Sequence, residues 1–341
     1  MSALIISGSQ MNVTISDQSS VGECRRAAKA MAESARFDEV NVGRAGIIAT
    51  EVATNILRHA GTGSVLIQML DDPDRPELEI LGIDRGPGMA DIDACMRDGF
   101  STGGTAGNGL GAVARLSGTF DLYSALEQGT VLMSRISGGA ASSRPAPASL
   151  QLGAICVAVR GELECGDCWR VAREGTVVSI MVADGLGHGT AAAVASAAAA
   201  RAFAASPFEP PSSLMTTLHR AVTGTRGAAA ACALLHPAEA TIDYAGVGNI
   251  CGSVVTQGRQ RGMVSHNGTL GMQLLRAQQF EYRWPQGSTV VLHSDGLSAR
   301  WNLELYPGLM QRHPAVIAAI LYRDFSRERD DATVVVARRP S

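Results

Sequence analysis

Long apolar runs are scarce in this 341-residue chain. The longest, Ala191 to Ala205, is dominated by alanine, is interrupted by Ser196 and Arg201, and falls short of the ~20 residues a membrane-spanning helix needs. Met1 to Gln10 lacks the basic start and apolar core of a signal peptide. The expectation is a cytoplasmic protein without a membrane partner. An excess of charge of one sign is also missing. The formal net charge is −3, which gives no bulk attraction to nucleic acid or to an anionic surface. Charged residues make up 18% and hydrophobic residues 46%, too little charge for a disordered chain and enough apolar material for sizeable cores. The seven cysteines are odd in number and scattered, which argues against a disulfide framework. Cys165-Gly166-Asp167-Cys168 is a single CxxC without the second pair or the histidines of a zinc finger, and it reads as reduced thiols.

Length alone suggests two domains. Ser137 to Ser149, SGGAASSRPAPAS, has no apolar periodicity and reads as a linker. Residues 1–136 and 151–341 then form the two domains, with 137–150 between them. In the front domain a strand is expected over Met11–Ile15. A helix capped by Ser20 with Glu23 should run to about Arg36, and a second, capped by Asp38, to about Arg58. Strands follow at Val65–Leu70, Leu78–Ile83, Phe120–Ser124 and Thr130–Ile136, with a helix after Gly109. The back domain is richer in strands: Ala154–Val159, Thr176–Val182, Ala229–Leu235, Thr241–Ala245, Val290–His293 and Thr333–Ala337. Helices at Thr190–Ala205 and Ser212–Thr223 interrupt them.

Three elements of the front domain bear chemistry. Glu51, Asn55 and His59 recur at i, i+4, i+8 and share one helix face. A carboxylate one turn from a carboxamide can orient an attacking hydroxyl while the amide oxygen holds Mg²⁺. Taken alone, the spacing equally describes a polar stripe on an amphipathic helix. Asp84 ends a strand, and Gly86 and Gly88 behind it let backbone approach a flat ligand whose exocyclic amine Asp84 could accept from. An ordinary Asp/Gly/Pro turn fits the same residues. Ser101 to Gly111, STGGTAGNGLG, leads into a helix with bare backbone N–H groups suited to phosphate. It lacks the lysine of a Walker P-loop.

In this order the three elements resemble the Bergerat-fold ATPases, and most closely the anti-sigma-type serine/threonine kinases of the RsbT-like switch group. Glu51-Val52-Ala53-Thr54-Asn55, Asp98 to Gly104, Arg115-Leu116 and Gly129-Thr130 carry the likeness. The resemblance implies that Glu51 is the general base, Asn55 the Mg²⁺ ligand and Asp84 the adenine contact. Gly86 and Gly88 would flank the base, Thr102, Gly107, Gly109 and Gly111 the phosphates, and Thr130 would close the pocket.

The back domain places Asp-Gly pairs at strand ends: Asp184-Gly185 in ADGLGHG and Asp295-Gly296 in HSDG. Asp167 precedes one strand, and Asp330-Asp331 precedes another. Each pair alone reads as a turn or a solvated pair. Converged at one end of a sandwich, such oxygens suit a pair of Mn²⁺ or Mg²⁺ ions, which can activate a shared water against a phosphate ester. The order of these motifs, with Arg226 to Ala229 and Tyr244 to Ile250 between them, resembles the SpoIIE-type metal-dependent phosphatases and their RsbX-like members. That likeness implies metal binding by Asp184, the Gly185 carbonyl, Asp295 and Asp330, and less firmly by Asp167, whose flanking cysteines depart from the pattern. Asp331 is the alternative to Asp330, and His188 either neighbours the site or only packs.

Together the resemblances imply an α+β protein, with an N-terminal Bergerat-type α/β sandwich ATPase domain and a C-terminal phosphatase β-sandwich flanked by helices. They imply ATP, Mg²⁺ for the kinase, and a Mn²⁺ or Mg²⁺ pair for the phosphatase. The expected partners are STAS-domain anti-sigma antagonist or stressosome proteins, with a downstream switch protein beyond them. A different class of function fits the same residues: an ATP-switched binding module that sequesters a partner and regulates an attached phosphatase.

Overall fold

The computed structural model describes residues 4–72, 75–96, 109–138, 150–257, 259–273 and 277–339. In chain order the elements are β1 (Leu4–Ile6), β2 (Gly8–Ile15), α1 (Gln18–Ser34), α2 (Glu39–Asn55), β3 (Gly63–Leu70), β4 (Glu77–Asp84), α3 (Ile92–Met96), α4 (Gly109–Leu116), β5 (Thr119–Ala125) and β6 (Gly129–Ser137). They continue with β7 (Gln151–Val157), β8 (Asp167–Glu174), β9 (Val177–Gly185), α5 (Thr190–Ala205), α6 (Pro211–Ala221), β10 (Ala228–His236), β11 (Thr241–Val247) and β12 (Cys251–Thr256). Last come β13 (Arg259–Met263), β14 (Ser265–His266), β15 (Phe280–Arg283), β16 (Thr289–His293), α7 (Pro314–Phe325) and β17 (Ala332–Arg338). They divide into a front unit, Gly8–Pro145, and a back unit, Met1–Ser7 with Ala146–Ser341.

The front unit is an antiparallel sheet in the order β2-β3-β4-β6-β5, with α1 and α2 packed on it. Val21, Cys24, Ala28 and Ala32 line one face of α1, against Val42, Ala45, Ala49 and Val52 of α2. The small residues in this seam let the two helices approach closely. The cap of α1 lies earlier than the sequence suggested. Asp17, not Ser20, is the N-cap, and it accepts from the Ser19 and Ser20 amides while Ser20 completes the box. The shorter carboxylate captures two orphan amides at once. Asp38 caps α2 through the Asn41 amide, as expected. After Asn55 the chain widens into a π-helical turn, Ile56–Ala60, a local irregularity often found at functional sites. Gly82 sits within β4 because any side chain there would meet Val52 Cγ1 of α2, 2.5 Å from where Cβ would stand.

The back unit is a sandwich. One sheet runs β1-β8-β9-β10-β11-β14 with β15 beside β11, and the other runs β13-β12-β16-β17-β7. Helices α5 and α6 cover the first sheet, and α7 covers β7 and β17 of the second. The alanines of α5 let it sit close: the Ala192 backbone occupies the space where Gly185 would carry a side chain. Helix α7 was not evident from periodicity, because Ala315 to Leu321 is apolar and buried on every side.

One strand lies outside the domain to which the sequence reading assigned it. Leu4–Ile6 pair antiparallel with Val171–Arg173 of β8, so the first residues complete the back unit's sheet. The physical reason is the edge. Without β1, one side of β8 would present unpaired amides and carbonyls. Deleting residues 1–7 is expected to lower the melting transition that Mn²⁺ raises, by several degrees if ~1–2 kcal/mol is lost. A shift confined to the transition that ATP raises would contradict the pairing.

Candidate functional sites

In the front unit the pocket residues cluster where β4 and β6 meet the ends of α2 and α4. Glu51 and Asn55 lie on the last turns of α2, partly exposed. The first residue of α4, Gly109, stands directly over them. A Cβ there would be 2.9 Å from Glu51 Oε2 and 3.6 Å from Asn55 Oδ1. A larger residue there would push the Glu51 carboxylate aside. Gly111, two residues further on and on the other side of α4, is buried. Asp84 ends β4, and its Oδ1 accepts from the Gly86 amide at 2.8 Å and the Thr130 amide at 3.1 Å. Thr130 in turn shares a hydroxyl contact of 2.9 Å with Ser124, which accepts from the Met89 amide. This chain of contacts ties the Gly86–Met89 loop to the β5–β6 hairpin. Gly88 adopts φ +72° and Gly86 lies against Ala60, where a Cβ would be 2.7 Å from the alanine methyl. Ser124 carried no signal in the sequence. Thr102 and Gly107 lie outside the described residues.

In the back unit four strand ends converge. Asp167 opens β8 and Asp184 closes β9, and the two are paired residues in the antiparallel ladder. Like charges directly opposite each other are unfavourable unless a cation lies between them. Both are buried. Ser294, at the end of β16, donates to Asp167 Oδ2 at 2.6 Å and accepts from the Thr333 amide. Asp295 accepts from Asn249 Nδ2 at 2.7 Å. Asp330 is only partly covered, and its Oδ1 accepts from the Asp331 amide. Asp331 is 2% exposed, and its two oxygens accept from the Val159 and Gly166 amides, each at 2.7 Å. Among the described residues Asp184 has no hydrogen-bond or ion-pair partner for its side chain.

The loop after Asp184 needs its glycines, since Gly187 and Gly189 both take positive φ. The Leu186 amide donates to the Gly227 carbonyl, which holds this loop beside Arg226. His188 is exposed and pairs with Glu162 at 2.7 Å. Burial holds the Asp330 carboxyl above its ordinary range, and His188 is close enough to offset a small part of that rise. Ser294 and Asn249 were present in the motifs without an evident role. Glu162 had no signal at all.

The electrostatics follow from burial. Asp184 is pushed up to about 9 by burial first and then by Asp167, Asp295, Asp330 and Asp331. Asp167 is pushed up to about 7, by burial against the lowering effect of its Ser294 hydrogen bond. Asp330 is held above the ordinary carboxylate range, again mainly by burial. The donor set is all oxygen and carries surplus negative charge, which fits hard divalent ions. No three His, Cys, Asp or Glu side chains among the described residues form a ready-made cage.

A pH dependence follows. A carboxyl raised on folding stabilises the fold below its ordinary value of 3.8, and that stability is lost as pH rises through the raised value, about 9 for Asp184. In chelator, the back unit's melting temperature should fall across this window, and Mn²⁺ should restore it at the alkaline end. A flat profile in chelator would contradict the crowded-carboxylate reading.

Comparison with known proteins agrees with both geometries. Residues 15–135 match the histidine kinase-like ATPase domain family, and residues 174–340 match the Stage II sporulation protein E (SpoIIE) family. The serine/threonine-protein kinase RsbT of Bacillus subtilis (strain 168) is 36% identical over 121 residues, 36% of this chain and 91% of that protein. A solved chain described under "The bacterial stressosome: a modular system that has been adapted to control secondary messenger signaling" is 28% identical. The match covers 56% of this chain and all of that one, with a TM-score of 0.53. RsbX in complex with magnesium is 21% identical over 57% of this chain and 96% of its own, with a TM-score of 0.48. The fold and sites thus define a two-module protein, a histidine kinase-like ATPase module joined to a SpoIIE-type phosphatase module. Through its front unit the chain belongs to the RsbT-like serine/threonine kinases, here fused to that phosphatase.

Proposed function

We propose that this chain carries both arms of one phosphorylation cycle. The front unit phosphorylates a serine or threonine of a STAS-domain protein, either an anti-sigma antagonist or a stressosome scaffold. The back unit removes the phosphate from the same or a related protein. The observation that carries this reading is the presence of two separately built sites, Gly109 over Glu51 and Asn55 in one unit and the opposed Asp167 and Asp184 in the other. The 36% identity to RsbT supports the direction of the first arm.

In the front site Glu51 would take the proton from the attacking hydroxyl, and Asn55 would hold the Mg²⁺ that accompanies ATP. Asp84, fixed by the Gly86 and Thr130 amides, receives the adenine amine. In the back site Asp184, the Gly185 carbonyl, Asp167, Asp295 and Asp330 would hold the metal pair, which would supply a water of lowered pKa. Asp330 is favoured over Asp331 because both oxygens of Asp331 are already engaged by backbone amides. Arg226, exposed beside the Gly187 loop, is placed to take the phosphate of the substrate. Linking the two arms raises the effective concentration of each near a shared target.

The test is incubation of the full chain with ATP, Mg²⁺, Mn²⁺ and STAS proteins of the same genome, followed by phosphosite mass spectrometry. A phosphoserine or phosphothreonine on a STAS protein that disappears once ATP is exhausted is expected. ATP binding with no phosphate transfer to any of them would overturn the kinase arm and favour a sequestering module.

A further inference from the structure

The CxxC does not pair with itself. Cys168 lies on β8, where its thiol donates to the Ser196 carbonyl of α5 at 3.2 Å. Cys165 turns instead to Cys156 on β7 of the opposite sheet, with the two sulfurs 3.6 Å apart. Cys156 also reaches the Asp167 carbonyl at 3.6 Å. The residue after Cys165 is a junction of the back site. The Gly166 amide donates to Asp331, its carbonyl accepts from the Gly185 amide at 3.1 Å, and Asp167 follows it. There is no slack at Gly166. A Cβ there would lie 2.7 Å from both Ala192 Cβ and Asp331 Oδ2.

We propose that Cys156 and Cys165 are a redox modification site, forming a reversible inter-sheet disulfide that distorts the metal-binding end of the back unit. The oxidant class is a hydroperoxide. One sulfur attacks the peroxide O–O bond and becomes a sulfenic acid, and its proton leaves with the departing oxygen as alcohol or water. The second sulfur then attacks the sulfenic sulfur, the S–S bond forms, and water leaves. Two thiols are oxidised and one peroxide is reduced. Dithiol reductants reverse the bond by exchange.

A disulfide closes the sulfur separation to about 2.05 Å, a movement of about 1.5 Å. Cys156 lies within a hydrogen-bonded strand, paired with Thr333, whereas Cys165 lies in the loop before β8, so Cys165 makes most of the movement. Gly166 and Asp167 go with it. The Asp331 clamp and the Asp167–Asp184 opposition are disturbed together. The effect on metal rests on the proposed ligand set; the disulfide itself does not.

The experiment treats the full chain with hydrogen peroxide, quenches it with catalase, and reads two quantities. Peptide mass spectrometry without reductant maps the linkage, and calorimetry with Mn²⁺ alone gives affinity. The expected result is a Cys156–Cys165 linked peptide, Mn²⁺ affinity weakened at least tenfold, and recovery of both with dithiothreitol. Cys156→Ser and Cys165→Ser should each bind Mn²⁺ unchanged before and after peroxide, with circular dichroism confirming that they fold. A Cys165–Cys168 linkage, sulfinic acid without any linkage, or the expected linkage with unchanged Mn²⁺ affinity would overturn the proposal. If Asp184→Asn binds Mn²⁺ as the reduced native chain does, the ligand assignment has failed instead, and mapping of the linkage still decides the disulfide.

Discussion

Replacing Asp184 with asparagine is expected to lower dephosphorylation by more than ~100-fold, since even outer-sphere partners of a metal are worth 10–100-fold. The same change should raise the melting temperature of the metal-free protein. Asp184 is buried, lacks a hydrogen-bond or ion-pair partner among the described residues, and lies opposite Asp167 in the ladder. Its carboxyl must be held protonated or be strained by its neighbours, and an amide of the same shape needs neither. The gain should grow as pH rises from 3.8 towards about 9, the interval over which the native carboxyl is a liability to the empty fold. Near neutral pH a rise of several degrees is expected, at roughly 2–4 °C per kcal/mol for a unit of this size. Function and stability thus move in opposite directions at one atom. A variant that keeps its activity within tenfold, or that melts lower in chelator at neutral pH, would contradict the role given to Asp184.

Replacing Glu51 with alanine is expected to lower phosphate transfer by ~10²–10⁴-fold, the usual worth of a positioned general base. ATP affinity should change little, because the adenine and phosphate contacts are assigned to other residues. The fold should tolerate the change. Glu51 is partly exposed and its carboxylate lies under Gly109, so truncation opens space instead of breaking a packed contact. Asn55→Ala should differ in kind, weakening Mg²⁺-dependent ATP binding itself. Titration calorimetry with ATP and Mg²⁺ separates the two. Loss of ATP binding in Glu51→Ala would move that residue from chemistry to nucleotide binding.

The placement of the candidate residues was legible because they sit at strand ends and helix faces, where spacing is informative. Glu51 and Asn55 could be read from one helical turn, and Asp184 from an Asp-Gly that closes an apolar run. Strand β1 was not legible. Three residues ahead of the front unit leave no pattern that says their partner is β8. Helix α7 was hidden for the opposite reason, since burial on every side erases the 3.6-residue period. The choice between Asp330 and Asp331 depends on which carboxylate the Val159 and Gly166 amides capture, and those residues are remote in sequence. The Cys156–Cys165 approach was not legible either, because Cys165 lies in the loop before β8 and meets a cysteine of the other sheet that no spacing links to it.

The central claim is that one chain holds two opposed activities at two independent sites. The most direct measurement is intact-mass spectrometry of a STAS-domain partner incubated with each single variant, starting from both its free and phosphorylated forms. Asp184→Asn should drive the free partner to full phosphorylation and leave the phosphorylated partner unchanged. Glu51→Ala should strip the phosphorylated partner and never modify the free one. If either single variant abolishes both reactions, the two sites are not independent and the account is wrong.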